Sequence, residues 1–336
     1  MVDHTSQTID EEFRAALRCL IPGQCNVLGV AVSGGGDSMA LLDLAASNGL
    51  CDHIVAATVD HGLRTEVRAE AQLVASRCAT LGISHDLLSL PSLPESGNLS
   101  ARLRDARYGV LASWAKGKSA CAVLLGHTMD DQAETVLMRL ARGSGAEGLS
   151  GMAPAREVDD VQFLRPLLSL RRQDLRSWLA ARNIVWAEDP TNDDKSFDRV
   201  KARHALEVLT PLGIDVPGIA ATADRLRRQG EVLTAAAKEL ATQACRENGG
   251  TIVIDREALR RAVSDTAMRV LADVLRRTGG HVYRPRFRAL LPLYEKTVGI
   301  EVTRTTLGRC LIDLTPSEIL IRREPRTALD DGAPES

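Results

Sequence analysis

The turn Ser33-Gly34-Gly35-Gly36-Asp37-Ser38 constrains this chain more than any other feature. An apolar run, residues 27–32, leads into it, and residues 38–47, with apolar side chains at helical spacing, lead out. An unbroken apolar run of that length suits a strand buried on both faces, as in a parallel sheet. Glycines in the turn admit left-handed backbone and let main-chain N–H groups approach a ligand with no Cβ in the way. The helix that starts there adds its partial positive charge. The alternation then recurs: strand 54–59 and helix 66–81, strand 84–90 and helix 98–116, strand 121–125 and helix 129–142. Such a series predicts an α/β fold, a doubly wound parallel sheet with helices on both faces and a ligand crevice at the C-terminal ends of its strands.

Beyond Arg142 the glycine-rich stretch 142–152 reads as a flexible loop or lid. A strand at 161–164, a helix at 172–182, the acidic turn 188–194 and a basic helix follow. The character changes near Pro211–Pro217. After it come one long helix (219–248), a strand (251–254), a helix (256–277), a basic helix (285–296) and a small meander over 299–303, 306–313 and 319–322. These patterns predict a catalytic domain over 1–213, a smaller C-terminal α+β accessory module over 214–326, and a frayed tail over 327–336. The first 164 residues carry 13 Lys/Arg and 20 Asp/Glu, the remainder 29 and 24. A basic second half behind an acidic first half hints at a polyanionic partner. Seven scattered cysteines without a Cys-x-x-Cys pair argue against a disulfide framework or zinc ribbon and for a reducing, cytoplasmic setting. The polar N-terminus lacks a signal peptide's apolar run, and no stretch has a membrane span's length.

Each residue type in the turn has a task. Gly34, Gly35 and Gly36 open the backbone to phosphate oxygens, Ser33 and Ser38 offer hydroxyl donors, and Asp37 is placed to hold Mg²⁺ against those phosphates. No Lys follows the glycines, so this is not the usual mononucleotide loop, nor does it have the context of a dinucleotide fingerprint. It resembles the PP-loop of the ATP pyrophosphatases, Ser-Gly-Gly-x-Asp-Ser, at every fixed position. The resemblance implies a Rossmann-like fold that binds ATP and transfers AMP to a carbonyl oxygen, with pyrophosphate released.

The second informative stretch is Gly126-His127-Thr128-Met129-Asp130-Asp131-Gln132-Ala133-Glu134-Thr135, at the end of the fourth strand and so on the same crevice. Read as a helix, His127, Asp131 and Glu134 share one face. That face suits a solvated acidic helix start, a metal held by His127 and Asp131, or a site for an ammonium group or Mg²⁺ with substrate. With His61-Gly62-Leu63-Arg64 and Glu188-Asp189-Pro190-Thr191-Asn192-Asp193, the stretch resembles the tRNA(Ile)-lysidine synthetases, over residues 27–204 and more weakly at Arg304-Thr305-Thr306-Leu307-Gly308.

The resemblance implies a ligase that joins the ε-amine of L-lysine to the wobble cytidine of a tRNA(Ile) bearing CAU, using ATP and Mg²⁺. On that footing Asp37, His127, Asp131 and Glu134 are the catalytic candidates. Asp131 and Glu134, with Arg104 and Arg107, would hold lysine; Arg64 is a weaker candidate. The family reads Phe-x-Arg-Asn-x-Ile-Arg where this chain has Phe197-Asp198-Arg199-Val200-Lys201-Ala202-Arg203. Arg199, Lys201 and Arg203 remain candidates for tRNA phosphates. No membrane partner is expected, and a homodimer stays open. Two rival readings stand beside this one: another PP-loop enzyme such as a tRNA thiolase, which usually brings cysteine pairs, and a non-catalytic nucleotide-binding module.

Overall fold

The structure is a computed structural model that describes residues 4–21, 23–47, 49, 51–60, 67–90, 99–188, 198–281 and 284–325. His61–Arg64 and Asp189–Phe197 lie outside the described residues, as does the frayed tail expected over 327–336. The chain divides into two compact units, Met1–Leu226 and Arg227–Ser336.

The first unit opens with α1 (His4–Leu20), which the sequence reading did not anticipate. Ile9, Phe13 and Leu17 recur every four residues and form its buried stripe. Then β1 (Val27–Ala31), α2 (Gly36–Ser47), β2 (His53–Asp60), α3 (Val67–Leu81), β3 (Ser84–Ser89), α4 (Leu99–Gly117), β4 (Ala122–Leu125) and α5 (Met129–Ala141) follow the expected alternation. After α6 (Ala146–Leu149) come β5 (Ala155–Val158), β6 (Val161–Leu164), α7 (Arg172–Ala181) and α8 (Asp198–Leu209). The sheet order is β3-β2-β1-β4-β6-β5. Five strands are parallel, with Val30 level with Ala56 on one side and Leu124 on the other. The edge strand β5, also unanticipated, runs antiparallel to β6. Asp159 and Asp160 both take left-handed φ (48° and 59°), the geometry that closes a two-residue hairpin.

Alternate residues of the strands feed two cores. Leu28, Val30 and Leu124 pack with Phe13, Leu17, Leu41 and Leu179 on one face. Ala31, Val123 and Leu125 pack with Tyr108, Leu111, Trp114 and Phe163 on the other. The fit is close: a Cβ on Gly29 would stand 2.9 Å from the Trp114 ring. Successive strands move outward from β1 to β3, and the chain then returns to lay β4 on the other flank of β1. The order therefore reverses between β1 and β4, where such sheets place their ligands.

The stretch 142–152, read as a flexible loop, is tied down. Arg139 donates to the carbonyls of Gly148 and Gly151, both at 2.7 Å. Gln132 exchanges hydrogen bonds with the Met152 backbone. The cysteine reading, which argued against a disulfide framework, meets one disulfide. Cys25 and Cys121 are joined, because each precedes one of two adjacent parallel strands and their Cα atoms stand 5.8 Å apart. The other five cysteines are free.

The long helix α9 (Val216–Ala244) begins before, and ends after, the division at Leu226. Its first turns bury Ile219 and Ala223 with Leu206 and Val136, so the boundary falls later than residue 213. The second unit carries an antiparallel sheet of order β7-β8-β11-β10-β9, from β7 (Cys245–Asn248), β8 (Thr251–Asp255), β9 (Thr303–Leu307), β10 (Cys310–Leu314) and β11 (Glu318–Arg323). The helices α10 (Arg256–Arg261), α11 (Ser264–Gly279) and α12 (Phe287–Val298) complete it. Arg256, fully buried, donates to the carbonyls of Lys296, Thr297, Gly299 and Thr315 and so closes this core. Among the described residues no single helix is long and apolar enough to cross a membrane.

Candidate functional site

Two arms meet at the point where the strand order reverses. One is the turn after β1, where Gly34 takes φ +92° and α2 starts at Gly36. Ser38, buried, braces it from inside: its hydroxyl donates to Gly35 O at 2.9 Å and accepts from Ser33 N–H at 3.1 Å. Ser33 is exposed, with its hydroxyl 3.1 Å from that of Ser38. A strip from the far end of the unit pins the same turn, with Ala187 N–H donating to Gly34 O at 2.9 Å.

The other arm follows β4. Gly126 crosses the first arm so closely that a Cβ would lie 3.1 Å from Ser38 Cα and 3.2 Å from Ser38 N. Thr128 then caps α5 in a capping box: Asp131 Oδ2 accepts from the Thr128 N–H and hydroxyl, both at 2.8 Å. The helix starts at Met129, so His127 stands ahead of it and does not continue the Asp131–Glu134 face, as the helical reading had it.

Asp37, Asp131 and Glu134 converge on one cation, Arg172, which the sequence reading missed. Its Nε donates to Asp37 Oδ2 at 2.9 Å, Nη2 to Asp131 Oδ1 at 2.9 Å and Nη1 to Glu134 Oε1 at 3.2 Å. Arg203 Nε reaches the same Glu134 oxygen at 3.1 Å. Asp130 turns away from the group. It caps α7, accepting from Arg172 N–H at 2.8 Å and pairing with Arg171.

Burial raises the Asp37 pKa above the usual carboxylate value, against the pull of Arg172 and with help from Asp131. Burial would raise Asp131 too, but Arg172, the Thr128 amide, His127 and Arg199 outweigh it and hold that carboxyl low. Burial likewise works against the Arg172 charge, and Asp131, Asp37 and Glu134 together raise its pKa. His127 falls to about 3, chiefly through burial, with Asp131 opposing and Arg165, Arg199 and Arg107 adding to the effect. It is therefore a neutral imidazole near pH 7. Burial also lowers the Arg107 pKa, opposed by Tyr108 and reinforced by Arg199.

The crevice thus has an acidic wall crossed by Arg172 and a basic side, Arg107, Arg165 and Arg199, around His127. Arg107 and Arg199 are therefore brought to the site. Arg104 is exposed and lies near Arg139. Lys201 sits 3.6 Å from Asp198, and Arg203 points at Glu134 instead of outward to phosphates. Val200 and Ala202 are buried on α8, so the departure from the family pattern falls on a packing face.

Among the described residues, Asp37 Oδ1, Glu134 Oε2, His127 Nδ1 and Arg165 Nε are buried there without a hydrogen-bond partner. Asp37 Oδ1 suits a hard divalent cation that takes its remaining ligands from phosphate and water. Among the described residues no three His, Cys, Asp or Glu side chains could hold a metal ion by themselves.

The PP-loop domain family matches residues 7–209. A tRNA(Ile)-lysidine synthase from Ruegeria pomeroyi is 43% identical over 292 residues, which cover 85% of this chain and 68% of that relative. One from Methylobacterium nodulans is 37% identical over 328 residues, covering 94% and 96%. The chain belongs to the tRNA(Ile)-lysidine synthase family. As a member of that PP-loop family it is an ATP-using enzyme. Among solved structures, the U34-tRNA thiolase NcsA from Methanococcus maripaludis has a TM-score of 0.55 at 16% identity, over 67% of this chain and 80% of that one. That likeness is one of fold alone.

Proposed function

We propose that this lysidine synthase family member adenylates the wobble cytidine of a tRNA(Ile) bearing CAU and then replaces AMP with the ε-amine of L-lysine. The observation that carries this reading is the meeting of the loop after β1 and the Asp131–Glu134 helix at one crevice. Cytosine's ring carbonyl is a poor electrophile. Its O2 attacks the α-phosphorus of ATP, a new O–P bond forms, and the bond to pyrophosphate breaks. The lysine nitrogen next adds at C2, the C2–O bond to AMP breaks, and a carboxylate of the site takes the proton.

The backbone amides of Gly34, Gly35 and Gly36 and the Ser33 hydroxyl would hold the phosphates, with Ser38 keeping the loop in shape. Asp37 would hold Mg²⁺, which neutralises phosphate charge when bound. Glu134 would accept the lysine ammonium, with Asp131 holding Arg172 beside it, while Arg107, with Arg104 further out, would meet its carboxylate. Neutral His127 offers one ring N–H donor and one ring nitrogen acceptor to the nucleotide and is not an imidazolium acid at pH 7. Arg199 and Lys201 on α8 would meet RNA phosphates, and the second unit would grip the rest of the tRNA. The setting is cytoplasmic.

Purified protein with ATP, Mg²⁺, labelled lysine and an unmodified CAU transcript should place label on the RNA. Label that persists after the wobble C is changed, or that fails to appear on the CAU transcript, would overturn the proposal.

A further inference from the structure

Arg172 sorts the carboxylate oxygens of the crevice into two sets. One oxygen from each of Asp37, Asp131 and Glu134 lies within 2.9–3.2 Å of its guanidinium. The second Asp131 oxygen is taken by Thr128. Left over are Asp37 Oδ1 and Glu134 Oε2, shut off from solvent and without a donor among the described residues, and Glu134 is only 1% exposed. An anionic oxygen in that condition is expensive unless a cation or donor completes it. Among the described residues these three carboxylates form direct ion pairs with two guanidiniums only, those of Arg172 and Arg203.

We propose that Arg172 is a positioning residue for the amine substrate: by claiming one oxygen of each carboxylate, it turns Glu134 Oε2 towards the incoming ammonium. Asp131, with both oxygens committed, then serves as the scaffold that holds Arg172 to the cap of α5. Arg172 itself is aimed by Asp130, which holds its backbone N–H at the start of α7. This inference rests on the lysine-dependent reaction proposed above.

The test is initial-rate kinetics of the full chain with ATP, CAU transcript and varied lysine, for wild type, Arg172→Ala and Arg172→Lys, with melting curves for each. Arg172→Ala should raise the lysine KM about tenfold or more, while the tRNA KM stays within about twofold. Millimolar guanidinium chloride should restore part of that loss in Arg172→Ala and none in wild type. Arg172→Lys keeps the charge but not the planar fork, so its lysine KM should fall between the other two. If Arg172→Ala does not fold, Arg172→Lys decides by the same KM comparison. A lysine KM near wild type in the folded variant, or a loss that guanidinium leaves untouched, overturns the inference alone. Wild-type protein that never transfers lysine takes down the underlying reading and the inference with it.

Discussion

Replacing Gly126 by Ala tests whether the two arms must touch. The added methyl would meet backbone atoms only: Ser38 Cα at 3.1 Å, Ser38 N at 3.2 Å and Asp37 C at 3.3 Å. No side chain can swing aside, and ordinary contact begins at 3.4 Å, so the arms must part by about 0.3 Å. Overpacking of this kind costs about 1–3 kcal/mol. In a domain of this size each kcal/mol is worth roughly 2–4 °C, so the melting temperature should fall by about 2–12 °C. A misplacement of 1 Å can cost about a hundredfold in rate, and 0.3 Å scales in the logarithm to about fourfold. Calorimetry and lysine incorporation read the two effects. Gly109→Ala is the control, since its Cβ meets nothing within 4 Å and it lies inside α4; it should melt at or above wild type. A Gly126→Ala protein with wild-type melting and rate would refute the close crossing.

Asp37→Ala and Glu134→Gln should each lower lysine transfer by about a hundredfold or more while the protein stays folded, as circular dichroism would show; activity within a few-fold of wild type would remove that residue from the site. His127 is held near pKa 3 against an ordinary 6.5, so between those values the unfolded chain binds a proton that the folded one refuses. Stability should therefore be lost as pH falls below about 6.5, at up to about 1.4 kcal/mol per pH unit, and His127→Asn should flatten the pH dependence of melting. An unchanged slope in that variant would show the imidazole to be open to solvent.

Much of this was written plainly in the chain. The apolar run before Ser33 and the run before Gly126 are buried parallel strands, and their loops carry the crevice. Other features were legible but passed over. Ile9, Phe13 and Leu17 mark α1 by their spacing, and Thr128 followed three residues later by Asp131 is a helix-start signal that places His127 outside α5. Asp159-Asp160 announces the hairpin into β6. Strand β7 could not be read, because Cys245–Asn248 continues a helical pattern and becomes a strand only by pairing with β8. Arg172 belongs to the same class. Nothing near an Arg-Arg pair says that one guanidinium will meet three carboxylates, one of them 135 residues earlier. That meeting is made by the return of the chain to β4 and by Asp130 at the cap of α7.

The most direct measurement follows the α-phosphate of ATP. Wild-type protein given α-labelled ATP, Mg²⁺ and the CAU transcript, with lysine withheld, should attach label to the RNA as pyrophosphate appears. Adding lysine should then release that label as AMP. Pyrophosphate formed without RNA, or label that settles on the protein, would contradict a crevice built to hand adenylate to a nucleobase.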